Sequence, residues 1–108
     1  MDGKMLADQN KTQNTYVLAI DLGSGGPKVG LVDQEGKILA SGAESIPVVF
    51  LEDGGAEQDP ELWWSSVMRL AKQVIQEADV DPRAIRAIGC TSQFSVITPV
   101  DANGEARP

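Results

Sequence analysis

Apolar positions in this chain fall into short runs and one long stripe, separated by breaks rich in glycine and proline. Tyr16–Asp21 is a brief apolar run ended by glycines, which predicts a buried strand. Lys28–Asp33 and Lys37–Ser41 read as two more strands. Between them Asp33-Gln34-Glu35-Gly36 carries its glycine late, as a tight hairpin needs. The first three strands should therefore form an antiparallel meander. Residues 45–56 look irregular, with Pro47 and Gly54-Gly55 breaking any period. Asp59-Pro60-Glu61 then predicts a helix start, because the acid can cap free N–H groups and proline suits the first helical position. Trp63, Val67, Leu70, Ala71, Val74, Ile75 and Ala78 recur at intervals of three and four, so they share one helical stripe facing the sheet. Trp63 lies in that stripe and reads as core packing. Trp64 falls off it and either lines a cleft or covers a helix edge. Asp81-Pro82 ends the helical region, and Ile85–Cys90 reads as another buried strand, parallel to an earlier one through the crossover. Val96–Asp101 is expected as a last strand, near an edge or bulge because of Pro99, followed by a turn at Ala102-Asn103-Gly104.

Composition narrows the function more than the fold. The 108 residues are 42% hydrophobic, enough for one small domain with one core. A net charge of −7 disfavours nucleic acid and anionic membranes as partners. The absence of histidine excludes His-based triads and His-ligated zinc. Cys90 is the lone cysteine; it cannot form an internal disulfide, which fits a reducing, cytoplasmic setting, and its apolar neighbours make it a small buried hydrophobe. The polar N-terminus has no signal-peptide core, and no later run is long enough to cross a membrane. Residues 1–15 read as a disordered leader.

The order β-β-β-α-β predicts an α/β domain with a mixed sheet. In such a sheet Asp21 and Thr91-Ser92-Gln93 both follow the carboxyl ends of adjacent parallel strands, where open α/β sheets bind ligands. Asp21 can hold magnesium directly or through water, since that ion prefers oxygen ligands. Gly23, Ser24, Gly25 and Gly26 can bring backbone N–H groups close to phosphate oxygens, with Lys28 supplying a cation. An ordinary hairpin turn, with an aspartate bonding its own backbone, accounts for the same residues. The segment is neither the P-loop nor the dinucleotide fingerprint.

Asp21-Leu-Gly-Ser-Gly-Gly-Pro-Lys28 resembles the first phosphate motif of the sugar kinase, Hsp70 and actin superfamily. Two further segments sharpen the likeness: Ala56-Glu57-Gln58-Asp59-Pro60-Glu61-Leu62-Trp63-Trp64, and Ile85–Gln93 followed by an Asp-x-x-Gly turn. In that order and spacing they resemble the N-terminal domain of the FGGY carbohydrate kinases, the xylulokinase and glycerol kinase group. The resemblance implies a ribonuclease H-like (actin-like ATPase) fold, with residues 16–108 as the N-terminal part of a first domain, truncated. It implies ATP and Mg²⁺ as cofactors and a small-molecule sugar or polyol as partner. Asp21 would correspond to the metal acid, and Gly23, Ser24, Gly25 and Lys28 to the phosphate-facing residues. Gln93, with Phe94 and Ser95 after it, would correspond to the sugar-contacting loop. Phe94-Ser95 and Pro27 depart from the family pattern: Phe94 offers no hydrogen bond, Ser95 is short, and Pro27 removes a backbone N–H.

The resemblance also implies a general base from a much later segment and a kinase several times longer. No catalytic residue is therefore assigned here, and the chain by itself is expected to be inactive. A bare sheet edge would invite pairing with a second copy, so a homodimer or aggregates are expected. Two other readings remain. One is an actin- or Hsp70-like ATP-binding switch or assembly protein; the other is a non-catalytic sugar-binding domain.

Overall fold

The computed structural model describes residues 14–107. The leader expected over residues 1–15 lies outside the described residues as far as residue 13. Strand β1 (Tyr16–Gly23) turns into β2 (Gly26–Asp33), which turns into β3 (Ile38–Ala43). A two-stranded ribbon, β4 (Val49–Phe50) with β5 (Ala56–Glu57), precedes helix α1 (Pro60–Ala78). A single 3₁₀ turn (Pro82–Ala84) then leads into β6 (Ile85–Ser92). The main sheet has the order β3-β2-β1-β6, antiparallel across the meander and parallel between β1 and β6. It is the expected mixed α/β sheet.

Alternation along the strands sorts the two faces. Leu18 on β1 and Pro27, Val29 and Leu31 on β2 are buried on one face, with Tyr16 and Ile20 beside them. Helix α1 lies over β2 and β3 on that face and closes the core with Leu70 and Val74. The close approach uses Gly42 of β3: a Cβ there would lie 3.0 Å from Leu70 Cδ2. Ser66 is buried in the same helix, and Arg69 bonds its hydroxyl at 3.1 Å while pairing with Glu44 at 2.8 Å. That pair fixes the helix against the segment after β3. Being largely solvent-exposed, the pair adds little to stability.

The start of α1 behaves as the sequence predicts, and its end comes at Asp79, which takes φ 53° just before Asp81-Pro82. The Asp59 side chain accepts from the Glu61 N–H at 3.0 Å, with Pro60 opening the helix. Asp81 repeats the device before Pro82, accepting from the Arg83 N–H at 2.9 Å. The Arg83 guanidinium, and then that backbone N–H, hold the Asp81 carboxyl below the ordinary carboxylate range. Asp59→Ala should therefore lower stability by about 1 kcal/mol, read as a shift of the thermal midpoint. An unchanged midpoint would mean that the cap is dispensable.

Three hairpins share one turn. Asp33 donates its N–H to Lys37 O (2.9 Å) and accepts from Gly36 N (3.1 Å), while its carboxylate takes the Glu35 and Lys37 N–H groups, both at 2.9 Å. Gly36 sits at φ 87°, which is why glycine falls fourth. Asp101–Glu105 repeats the arrangement bond for bond, as the Asp-x-x-Gly spacing predicts. Leu51–Gly55 repeats its backbone bonds without the leading acid. The stretch 45–56 is consequently not irregular throughout, because this third turn pairs β4 with β5.

Three other expectations fail. Ile85–Cys90 is not buried: helix α1 covers β2 and β3, leaving Ile88 on β6 66% exposed and Cys90 exposed beside it. Val96–Asp101 is not a strand; apart from one bridge, Val100 with Ala106, it lacks a ladder partner, and Pro99 has no N–H to give one. Pro27 is no loop residue either, since it pairs with Leu22 and fills the core. Trp64 is 64% exposed and lines neither of the hollows described below.

Candidate functional site

The glycine-rich segment after Asp21 is tighter than a loop. Gly23 and Gly26 are ladder partners, so only Ser24 and Gly25 form the hairpin turn. Asp21 lies within β1, directly across from Lys28 on β2 and Thr91 on β6. No salt bridge joins Asp21 to Lys28. A Cβ built on Gly23 would stand 3.9 Å from Asp21 Oδ1, so the carboxylate lies close above the end of the hairpin. Beyond β6 the Gln93 N–H bonds the Leu22 carbonyl at 3.0 Å, carrying the parallel pairing one step further. These two facts bring Asp21 and Gln93 to one rim of the sheet.

The sheet separates the candidate residues into two groups. On the face away from α1, Asp21 and Lys28 line a shallow depression of about 490 Å³ with Thr91 and Ser41. Its floor is Ala19, Gly30 and Gly89, residues too small to fill it. Ser24, Gln93 and Ser95 line a second, larger cleft of about 730 Å³, walled by Trp63, Val48, Val96 and Ile97. Gly23, Gly25 and Phe94 line neither hollow. A Cβ on Gly25 would meet nothing within 4 Å, so that turn residue stands open. Phe94 is 95% exposed, and Ser95 follows at φ 58°.

Gln58 and Trp63 join this site without having been expected there. The Gln58 amide nitrogen donates to the carbonyls of Ser24 (3.0 Å) and Ile46 (3.3 Å). Its carbonyl oxygen accepts from the Trp63 indole N–H and from the Gln93 amide, both at 3.2 Å. Trp63 is thus half-buried and hydrogen-bonded at a cleft wall, rather than simple core filling. A carboxamide directly before a helix cap, five residues ahead of an indole, was the available signal.

The acid's surroundings bear on a metal. Among the described residues no cluster of three or more His, Cys, Asp or Glu side chains could hold an ion. A lone carboxylate beside a threonine suits Mg²⁺ only when water and phosphate oxygens complete its shell, which is how this ion binds with nucleotides. Asp21 therefore fits an ion that arrives with a polyphosphate. The described residues also contain no helix long and apolar enough to cross a membrane.

Known proteins resemble this chain in sequence and in fold. A glycerol kinase of Marinomonas sp. (strain MWYL1) is 36% identical over 78 residues, 72% of this chain and 16% of that protein. A xylulose kinase of Staphylococcus epidermidis is 32% identical over 88 residues, 82% of this chain and 18% of that protein. The chain thus spans less than a fifth of the length of these relatives. In structure it resembles the gluconate kinase of Lactobacillus acidophilus with a TM-score of 0.76 at 28% identity, covering 87% of this chain and 18% of that one. Residues 16–107 match the N-terminal domain of the FGGY family of carbohydrate kinases, and the chain belongs to that family.

Proposed function

We propose that this chain supplies the N-terminal part of an ATP-dependent carbohydrate kinase, in which the γ-phosphoryl group of ATP passes to a hydroxyl of a sugar or polyol. The observation that carries the proposal is the register of β1 and β6: Asp21 opposite Thr91, with Gln93 bonded to Leu22 at the same rim. Phosphoryl transfer asks for positioning and charge neutralisation more than covalent chemistry. A carboxylate and a carboxamide at the ligand-binding end of parallel strands meet that demand.

In this proposal Asp21 holds Mg²⁺ together with the nucleotide's own oxygens, and Lys28 adds a positive charge on the same sheet face. Gly23, Ser24 and Gly25 let phosphate approach the end of the hairpin without a bulky side chain intervening. Gln93 and Ser95 face the acceptor cleft and bond its hydroxyls. Phe94 does not line that cleft, so acceptor choice falls to its two neighbours. The proton acceptor for the attacking hydroxyl belongs to sequence outside residues 16–107, and the working compartment is the cytoplasm.

Two assays test this. The 108-residue chain, given ATP, magnesium and glycerol, xylulose or gluconate, should show no phosphorylated product; turnover would overturn the assignment of the base to sequence outside it. Residues 16–107 exchanged into the Staphylococcus epidermidis xylulose kinase should keep ATP-dependent phosphorylation. A hybrid that unfolds cooperatively yet binds neither nucleotide nor sugar would sink the proposal.

A further inference from the structure

Gln58 makes bonds that a spacer residue would not need. Both hydrogens of its amide nitrogen meet backbone carbonyls, of Ser24 at the hairpin turn and of Ile46 after β3. Its oxygen meets two donors, the Trp63 indole on α1 and the Gln93 amide after β6. A carboxamide has two donor hydrogens and two acceptor lone pairs, so every site is used. The orientation is also fixed, because carbonyls can only accept and an indole N–H can only donate. One half-buried side chain thereby ties four separate segments together.

We infer that Gln58 is a positioning residue that locks the Ser24–Gly25 turn to Gln93, so that the phosphate-facing turn and the acceptor-facing loop move as one body. The functional sense of this lock rests on the kinase proposal above; the lock itself does not. Besides Gln58, the turn is held to the segment after β3 by the Ile46 N–H on Gly25 O at 3.1 Å, and the loop after β6 is held to β1 by the Gln93 N–H on Leu22 O at 3.0 Å. Those two N–H groups are natural reporters on either side of the lock.

The test is amide exchange and indole resonance of the ¹⁵N-labelled 108-residue chain, which needs no catalysis. In Gln58→Glu at neutral pH the introduced carboxylate has no hydrogen for the Ser24 and Ile46 carbonyls. Exchange at both Ile46 and Gln93 should accelerate by about tenfold, the factor for one hydrogen bond's net worth, and the Trp63 indole peak should shift. Lowering the pH towards ~4 protonates that carboxyl and returns one donor, so both effects, read as the ratio of variant to parent at the same pH, should shrink. Gln93→Ala gives a second handle if that variant folds poorly. It should accelerate exchange at Ile46 in the parent, but add nothing in the Gln58→Leu background. Exchange that changes on one side only, or a Gln93→Ala effect identical with and without Gln58, would overturn the lock. Loss of sugar or nucleotide binding with these signals intact would count against the kinase proposal alone.

Discussion

Gly26→Ala is expected to cost about 3 kcal/mol or more and to lower the thermal midpoint by roughly 15 °C. Two independent faults add at this one position. Gly26 holds φ at 137°, a conformation that residues with a Cβ rarely adopt. A Cβ there would also stand 1.9 Å from the Glu44 carbonyl oxygen and 3.0 Å from the Ile46 nitrogen. Both obstacles are backbone, held by the Glu44 N–H on Pro27 O and the Ile46 N–H on Gly25 O, each at 3.1 Å. Relief would require pulling the post-β3 segment off the hairpin and opening the core beneath Pro27. Gly25→Ala is the control: a Cβ at that neighbouring turn residue meets nothing within 4 Å, so its midpoint should move by no more than ~3 °C. Thermal unfolding followed by circular dichroism separates the two. Equal midpoints would show that the approach of Glu44 is loose in solution.

The contrast explains which parts of this molecule its sequence announces. Periodicity, caps and turns are local, and they were legible. The stripe from Val67 to Val74 became the buried helix face, and Asp59-Pro60 became the helix start. Asp33-x-x-Gly36 became the hairpin, and the crossover made β6 parallel to β1. Cys90 misled because an apolar run states only what a strand can bury. What covers it depends on where the helix lies, and α1 stops at β2 and β3. The glycines of Gly23–Gly26 looked like one flexible loop. Two of them are instead ladder residues, one chosen to admit a neighbouring backbone and not a ligand. Gln58 shows the opposite failure. Its four partners come from residues 24, 46, 63 and 93, a set that only the folded chain assembles. Of the candidate site, the meeting of Asp21 and Gln93 at one rim was legible, although Asp21 lies within β1 and not beyond its end. The site's division between two hollows was not, because the face a residue takes depends on register.

Asp21→Asn should leave the fold intact and remove the chemistry. The residue is exposed, on the sheet face opposite the core, so its midpoint should stay within ~3 °C of the parent. Its carboxylate nevertheless faces the end of the hairpin, with Lys28 and Thr91 as its cross-strand neighbours. In the hybrid xylulose kinase that carries residues 16–107, kcat should fall by about 10²–10³-fold, the usual effect of deleting one preorganised electrostatic group at a site of developing charge. The KM for sugar should stay nearly constant, because Gln93 and Ser95 open into the other cleft. Raising the magnesium concentration should recover part of the loss if the amide still coordinates weakly through its oxygen. Lys28→Gln should act differently, raising the KM for ATP more than it lowers kcat, since a point charge on the same face attracts nucleotide in ground and transition states alike. Gly23→Ala is an intermediate case, placing a methyl 3.9 Å from Asp21 Oδ1 and 3.5 Å from the Gly26 carbonyl oxygen. Those are ordinary contacts, so the chain should fold and any kinetic loss should come from crowding the carboxylate. Full turnover in Asp21→Asn would place the metal-nucleotide away from this face of the sheet.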